Sequence, residues 1–411
     1  MTEPLYKLPE GWRWVRLGEV ARREATLLKP SDYPSRRFRY LSMEHVGPGQ
    51  WEEPRGVEVS GSEIKSQVVV FRRGLVLYGK LRPYLNKVVV PSNEGVASTE
   101  FVPIFPFPDM LEPEYLGAFL RTPSFVAYAS ANTTGSRQPR TRLDALWQTP
   151  IPLPPLSEQR RIVARIEELM ARVREARRLR QEALEDAERL WQSVLADTFP
   201  HPGQDLPKGW RWVRLGEVCR HKTGIWGPEA PDSSKGFPVV RSTEIHGMVL
   251  MPQKASVRAI RSKQIWAYKL EAGDILINKS SGSPHLVGWP AIFEDPHDGR
   301  TYLFSNFMLR LRPEKELLEP WFLLFYLHSP IARSLYLGAQ DTTSGLRNLR
   351  IRDFMEQSVP LPPLSEQRRI VAHLEEVREH IRALKTGQSA TEAELKRLEQ
   401  SILDKAFRGE L

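Results

Sequence analysis

The residues of this chain best placed to do chemistry are suited to binding rather than to reaction. Lys80-Leu-Arg82-Pro-Tyr84-Leu-Asn86-Lys87 interleaves cations with an aromatic ring and an amide. A second stretch, Thr133-Thr-Gly-Ser136-Arg137-Gln-Pro-Arg140-Thr-Arg142, is small, polar and basic. Both have partners later in the chain. Lys279-Ser280-Ser281-Gly-Ser-Pro-His285 occupies the slot of the first, and Thr342-Thr-Ser-Gly-Leu-Arg347-Asn-Leu-Arg350-Ile-Arg352 that of the second. Hydroxyls and backbone amides of such loops contact phosphates, and Arg, Asn and His reach base edges. Any one of these residues reads equally well as part of a solvated loop. The set, recurring twice in register, favours a nucleic-acid ligand.

Catalytic patterns are sparse. Gly74–Lys80 fits the spacing GxxxxGK, but Leu81 stands where a phosphate loop carries the Ser or Thr that binds magnesium. No glycine-rich loop for a dinucleotide or methyl donor is apparent, and the two Leu-Pro-Pro-Leu runs lack an adenine methyltransferase pattern. The nine histidines are scattered, with His373 and His380 on a solvated helix face. No catalytic residue and no metal ligand is assigned. Cys219 is the only cysteine, which excludes an intramolecular disulfide and predicts a small buried hydrophobe.

Composition agrees with an anionic partner. The 411 residues carry a formal charge of +9, with 59 Lys and Arg against 50 Asp and Glu. Arg outnumbers Lys 43 to 16, and its planar fork grips phosphate and guanine bidentately. No signal segment and no run of eighteen apolar residues occurs, so a cytoplasmic location is expected.

These loops sit inside a tandem duplication. Leu8–Val20 reads LPEGWRWVRLGEV and Leu206–Val218 reads LPKGWRWVRLGEV; PLPPLSEQRRIVA occurs at Pro152–Ala164 and unchanged at Pro360–Ala372. Between them the match is fainter but ordered. Ser42 and Glu44 answer Ser242 and Glu244, Gly74–Lys80 answers Gly273–Lys279, Phe101 answers Phe307, and Glu112-Pro113 answers Glu319-Pro320. Leu116, Leu120 and Pro123 answer Leu323, Leu327 and Pro330. The globular segments read as mixed and mostly β: apolar runs such as Val68–Phe71 and Leu75–Tyr78 lie between Gly, Pro, Ser and Asn. Short helices are predicted at Glu114–Leu120 and Trp321–Leu327.

After each PLPPL a long helix is predicted, with Ser157 or Ser365 as N-cap. One heptad seam runs Ile162, Ile166, Leu169, Val173, Ala176, Arg180, Ala183, Ala187, Leu190, Val194. The other runs Ile370, Leu374, Val377, Ile381, Leu384, Gln388, Thr391, Leu395, Leu398, Ile402. Such seams predict a coiled coil. Helices of this size, at ~1.5 Å per residue, are about 64 Å long. Arg180 and Gln388 interrupt the seams at equivalent positions, and in an antiparallel pair they would set the register. Antiparallel pairing also predicts that the carboxyl end returns towards the amino end.

The paired openings, the paired PLPPLSEQRRIVA hinges, the helices after them and GKLRPYLNKV together resemble the specificity subunit of a type I restriction–modification system, over essentially the whole chain. The resemblance implies an α+β fold: two mixed, mostly β target-recognition domains and two long antiparallel coiled-coil helices in a pseudo-twofold tandem repeat. It places target-recognition domains at 1–151 and 200–359 and spacer helices at 152–199 and 360–411. It implies a non-catalytic subunit of a prokaryotic complex, each domain reading half of a bipartite sequence in double-stranded DNA. Two modification (methyltransferase) subunits that bind S-adenosylmethionine would be partners, as would restriction subunits using ATP and Mg2+. The alternative from another class is a scaffold or anti-restriction decoy that gathers modification subunits without reading DNA.

Overall fold

The computed structural model describes residues 6–230, 236–283, 285–338, 340–343 and 346–411, with the backbone alone at 342, 343, 346, 389 and 390. The chain forms two compact units, Met1–Gln181 with Ser389–Leu411, and Glu182–Gln388. Each holds one globular segment, the start of one long helix and the end of the other.

In each unit the two repeated motifs are hydrogen-bonded neighbours. The strand Arg13–Arg16 runs antiparallel to Pro150–Leu153, with Trp14 opposite Pro152. Arg211–Arg214 pairs with Ser358–Leu361 in the same way, Trp212 opposite Pro360. Prolines are tolerated here because a two-stranded ribbon leaves their nitrogens on an edge. The opening motif and the hinge are therefore repeated together because each is the other's ladder partner.

Above this ribbon the first unit carries a four-stranded sheet in the order Ala21–Arg23, Phe101–Pro106, Val76–Gly79, Val88–Val89. A five-stranded sheet runs Thr26–Leu28, Val68–Phe71, Gly95–Ser98, Arg37–Leu41, Val57–Ser60. In the second unit Cys219–Thr223, Met308–Pro313 and Ile275–Asn278 repeat the first three strands within a six-stranded sheet. Helices Pro113–Phe119 and Pro320–His328 both begin with proline at their first position. Each is followed by a helix the sequence reading did not resolve, Pro123–Ala131 and Pro330–Leu337. These are capped by Thr122 and Ser329, whose hydroxyls accept from Phe125 N and Ala332 N at 3.2 Å.

The equivalence of Phe101 with Phe307 does not hold. Phe101 pairs with Gly79 and is buried, whereas it is Met308 that pairs with Asn278 and is buried. Phe307 lies one residue earlier, on the turn, and is 49% exposed. The residue equivalent to Phe101 is thus Met308, and in a strand a shift of one residue exchanges the inner face for the outer.

The long helices span Leu156–Thr198 and Leu364–Arg408. Both start one residue before the predicted caps, so Ser157 and Ser365 lie in the first turn, and the carbonyls of Pro155 and Pro363 take the first helical bonds. The side chain that fixes this junction is the next but one. The carboxamide of Gln159 is fully buried: Nε2 donates to Met110 O and Pro154 O, both 2.9 Å, and Oε1 accepts from Glu112 N at 2.9 Å. Gln367 repeats the set with Leu317 O, Pro362 O and Glu319 N, all 2.8 Å. One amide thus ties strand end, loop and short helix to the base of the long helix.

Within the first unit Ile162, Ile166, Met170 and Val173 share a core with Leu395, Ile402, Leu403, Ala406 and Phe407. Arg177 makes a bidentate pair with Glu399 at 2.6 and 2.9 Å, and Arg180 pairs with Glu392 at 3.0 Å. Numbers rise along one helix as they fall along the other, so the pair is antiparallel there. Within the second unit Trp191, Leu195 and Phe199 share a core with Ile370 and Leu374, and Lys385 meets Glu188 at 2.7 Å. The strict heptad seam holds near the start of each helix, where Ile162, Ile166, Ile370 and Leu374 are buried, and fails further along, Leu384 being 43% exposed. Leu190 is 55% exposed and Leu398 49%, while Trp191, Leu195 and Leu403 are buried in their stead. An α-helix drifts ~20° per heptad against a 3.5 repeat, and after several heptads the buried face moves on by one residue. In the first unit Tyr6 Oη donates to Phe407 O at 2.7 Å and the Arg408 guanidinium lies over the Tyr6 ring, so the carboxyl-terminal helix does end against the amino-terminal segment.

Candidate nucleic-acid interface

In the first unit the two candidate loops are knitted together by the backbone. Arg82 N donates to Pro139 O at 2.7 Å and Thr141 N to Lys80 O at 2.9 Å, and Leu81 bridges Arg140. Thr133–Thr134 and Arg140–Thr141 close the second loop as a hairpin. Beneath it the Tyr78 hydroxyl meets Thr141 Oγ1 at 2.8 Å, and burial pushes that phenol up to about 12.

The side chains divide into anchors and free groups. Asn86 Nδ2 donates to Arg121 O at 3.1 Å, and Lys87 Nζ donates to Met43 O. Burial, with Arg82 nearby, lowers the Lys87 pKa. Asn86 and Lys87 therefore hold the loop. Arg140 donates three times to Glu100, from Nε at 3.1 and 3.0 Å and from Nη2 at 2.7 Å, while Lys80 Nζ donates to Thr99 O at 2.9 Å and stands 4.0 Å from Glu100. Arg142 pairs with Asp144 at 3.1 Å. Thr133 is half-buried, whereas Ser136 and Arg137 are exposed. Tyr84 is 57% exposed on the short turn Pro83–Leu85. Both residues flanking that turn, Arg82 (φ 50°) and Asn86 (φ 49°), are left-handed. Asn tolerates this conformation and Arg does not, so strain of ~1 kcal/mol or more is stored where Arg82 and Tyr84 face outward.

The second unit builds the same place differently. Leu349 N donates to Lys279 O at 2.9 Å, and Ser280–Ser281 pairs with Leu346–Leu349. Ser280 Oγ donates to Asn348 Oδ1 at 2.6 Å, and Ser281 Oγ accepts from Ser283 N. His285 is exposed, its carbonyl accepting from Arg333 at 3.4 Å. Arg347 is exposed; Arg350 pairs with Asp353 at 3.0 Å and Arg352 with Glu356 at 3.1 Å. Thr342 lies on the strand Gln340–Thr343, and its side chain is outside the described residues.

Three features escaped the sequence reading. Glu100 organises Lys80 and Arg140, an acid within a basic surface. Trp226 is flanked by the guanidinium of Arg258 at 4.3 Å and that of Arg241 at 5.8 Å, beside the turn that carries Phe307, since Ile225 N donates to Phe304 O. Trp266 is 81% exposed on the helix Ser262–Tyr268, with Lys269 Nζ 5.6 Å from its ring. A tryptophan within Arg-Ser-Lys-Gln-Ile-Trp was the available signal. Cys219 is buried, and burial pushes its thiol well up, away from reactivity. Among the described residues no group of three or more His, Cys, Asp or Glu could hold a metal ion, and no helix is long and apolar enough to cross a membrane.

The duplicated fold thus carries two unlike versions of one polar, basic loop pair, and comparison with known proteins places the chain in a family. Residues 9–185 and 207–394 each match the type I restriction modification DNA specificity domain, and the chain belongs to that family. It is 30% identical over 198 residues to the type I restriction enzyme EcoDI specificity subunit of Escherichia coli, covering 48% of this chain and 44% of that one. It is 26% identical over 271 residues to the EcoKI specificity subunit of E. coli K12, covering 64% and 57%. The chain thus spans about half the length of these curated relatives. Among solved structures, the HsdS subunit from Thermoanaerobacter tengcongensis is 38% identical with a TM-score of 0.60, all of both chains being covered. A chain from work on complex assembly and conformational transition of the type I R-M system is 37% identical with a TM-score of 0.81, covering 99% of this chain and 100% of that one.

Proposed function

We propose that this chain is the non-catalytic DNA-recognition subunit of a type I restriction–modification complex, each globular segment reading one half of a bipartite target. The observation that carries this reading is the pair of equivalent loop sites, alike in backbone and unlike in side chains. One activity needed twice gives no reason for that divergence; two different half-sites do. The candidate residues sort by availability. Arg82, Tyr84, Ser136 and Arg137 in the first unit, and Lys279, His285 and Arg347 in the second, are the groups offered to DNA. Lys80, Arg140, Arg142, Arg350 and Arg352 meet it with their charge already shared with carboxylates.

The long helices would set the spacer between half-sites and dock two modification subunits. Arg180 with Glu392 would help fix their register, with Gln388 at the equivalent position. S-adenosylmethionine would be bound by the modification subunits, and ATP with Mg2+ by restriction subunits where these join. A gel shift with the purified chain and its modification subunits tests the reading. Sequence-preferring binding supports it; assembly of modification subunits without any sequence preference would favour a scaffold or decoy. Arg137→Ala separates contact types. Loss of a base contact relaxes one position of one half-site, by ~1–3 kcal/mol, whereas loss of a phosphate contact weakens all sequences and flattens the salt dependence.

A further inference from the structure

The turns that lead into the central strands Phe101–Pro106 and Met308–Pro313 are the same turn with different tips. Ser98 Oγ accepts from Glu100 N at 3.3 Å, and Ser305 Oγ accepts from Phe307 N at 3.2 Å. The carbonyl of Glu100 accepts from Lys80 N at 3.0 Å, and that of Phe307 from Lys279 N at 2.8 Å. Glu100 and Phe307 are therefore equivalent, each beside its unit's two candidate loops. Across from them Arg140 and Asn348 are equivalent too, because the residues after them, Thr141 and Leu349, donate to the carbonyls of Lys80 and Lys279.

What the tips offer differs in kind. A carboxylate on a surface that meets phosphates is repelled unless compensated. Lys80 and Arg140 supply two positive charges against one, so the cluster stays net positive. Arg140 is not free to read a base: beyond its three bonds to Glu100, its Nη1 donates to Gln138 O at 3.2 Å. The carboxylate keeps capacity, since its two oxygens carry about four acceptor positions and among the described residues Oε2 receives only the Arg140 Nε. In the major groove a carboxylate accepts from an exocyclic amino group, the N4 of cytosine or N6 of adenine. Phe307 can accept nothing. It is 49% exposed, and among the described residues its ring stacks on no other. Such a face suits a thymine methyl group. One exposed Phe is ordinary on a protein surface; one at the position of a clamped carboxylate, in a duplicated reader, is not.

We propose that the tip of this turn is a base-reading position in each unit: Glu100 accepts from the exocyclic amino group of a cytosine or adenine in one half-site, and Phe307 packs on a thymine methyl in the other. This rests on the reading of the chain as a two-domain DNA reader. The test is selection from a random duplex library by the full chain assembled with its modification subunits. Glu100→Ala should relax one base pair of one half-site roughly tenfold to a hundredfold, the range for one good base contact, and leave the other half-site as selective as before. Phe307→Ala should do the converse. Glu100→Gln keeps an acceptor oxygen and should retain most of the preference; if Gln fails as Ala does, Glu100 only holds Arg140 and the proposal is overturned. Unchanged selectivity in the Glu100→Ala and Phe307→Ala complexes also overturns it. If the unaltered complex selects no two-part motif, the underlying reading falls first, and this proposal with it.

Discussion

At one buried position the two units differ most plainly in charge. The last turn of the short helix leads to Arg121 in the first unit; in the second it ends at His328, the same distance after the initiating proline. Arg121 donates to Gly117 O at 2.8 Å and Val88 O at 2.7 Å and lies over the Trp51 ring. His328 Nε2 stands 3.0 Å from Pro290 O, with Trp289 against its ring. Burial lowers the pKa of both, to about 10 for the arginine and about 3 for the histidine. Arg121 therefore stays charged through neutral and acid conditions, whereas His328 is folded in as the neutral ring. Duplication preserved the backbone, and with it a polar side chain capping the core, but not its electrostatics. The same lesson holds at the surface, where Glu100 of the first unit has Phe307 as its equivalent in the second.

Four perturbations sharpen this comparison. The largest effects belong to features the units share. Phe407 packs on Tyr115 and Phe119 in the first unit, and Phe199 on Phe322 and Tyr326 in the second. Phe407→Ala and Phe199→Ala should each cost ~3–5 kcal/mol. Hydrogen exchange should show the loss in the first unit for Phe407→Ala and in the second for Phe199→Ala; identical exchange maps would mean the units do not open separately. Next come the amide clamps. Gln159→Met or Gln367→Met strands one amide and two carbonyls and should cost roughly 1–3 kcal/mol. A denaturant midpoint that stayed put would show water taking over those bonds.

The third perturbation separates the units. A histidine whose folded pKa lies below its ordinary value stabilises fully above that value and loses the contribution as pH falls from ~6.5 towards the folded pKa. Acid between about pH 6.5 and pH 4 should therefore weaken the second unit by up to about 3 kcal/mol, and His328→Phe should remove that slope. Equal acid sensitivity with and without the imidazole would refute the assignment. The smallest effect is expected from the half-exposed helix pairs. Arg177→Ala should cost ~0.2–1 kcal/mol and lose that cost in high salt, read from melting with and without added salt.

The sequence displayed what the duplication kept identical. The openings, the hinges, the long helices, and the proline starts of the short helices could all be placed from residue identity, because ladder partners and caps tolerate little change. Gln159 and Gln367 were inside the repeated motif, yet their role was hidden: a buried carboxamide satisfying three backbone groups looks, in sequence, like any polar helix residue. The seam was legible near the start of each helix and misleading further along, where Leu384 is exposed and drift exchanges Leu190 for Trp191. The candidate loops stand out as segments, since Arg, Lys, Ser and Asn cluster visibly. Which of them are spent on carboxylates was not legible, because Glu100 lies 40 residues from Arg140 along the chain.

The account's central claim is that the two units read different halves of one target independently, and methylation mapping tests it most directly. Residues 9–150 would be copied in place of 207–358, joining at the shared motifs, and the variant expressed with its modification subunits. The account predicts that the two-part motif changes to one in which the half-site of the first unit occurs twice, the second half-site being lost. An unchanged motif would contradict it.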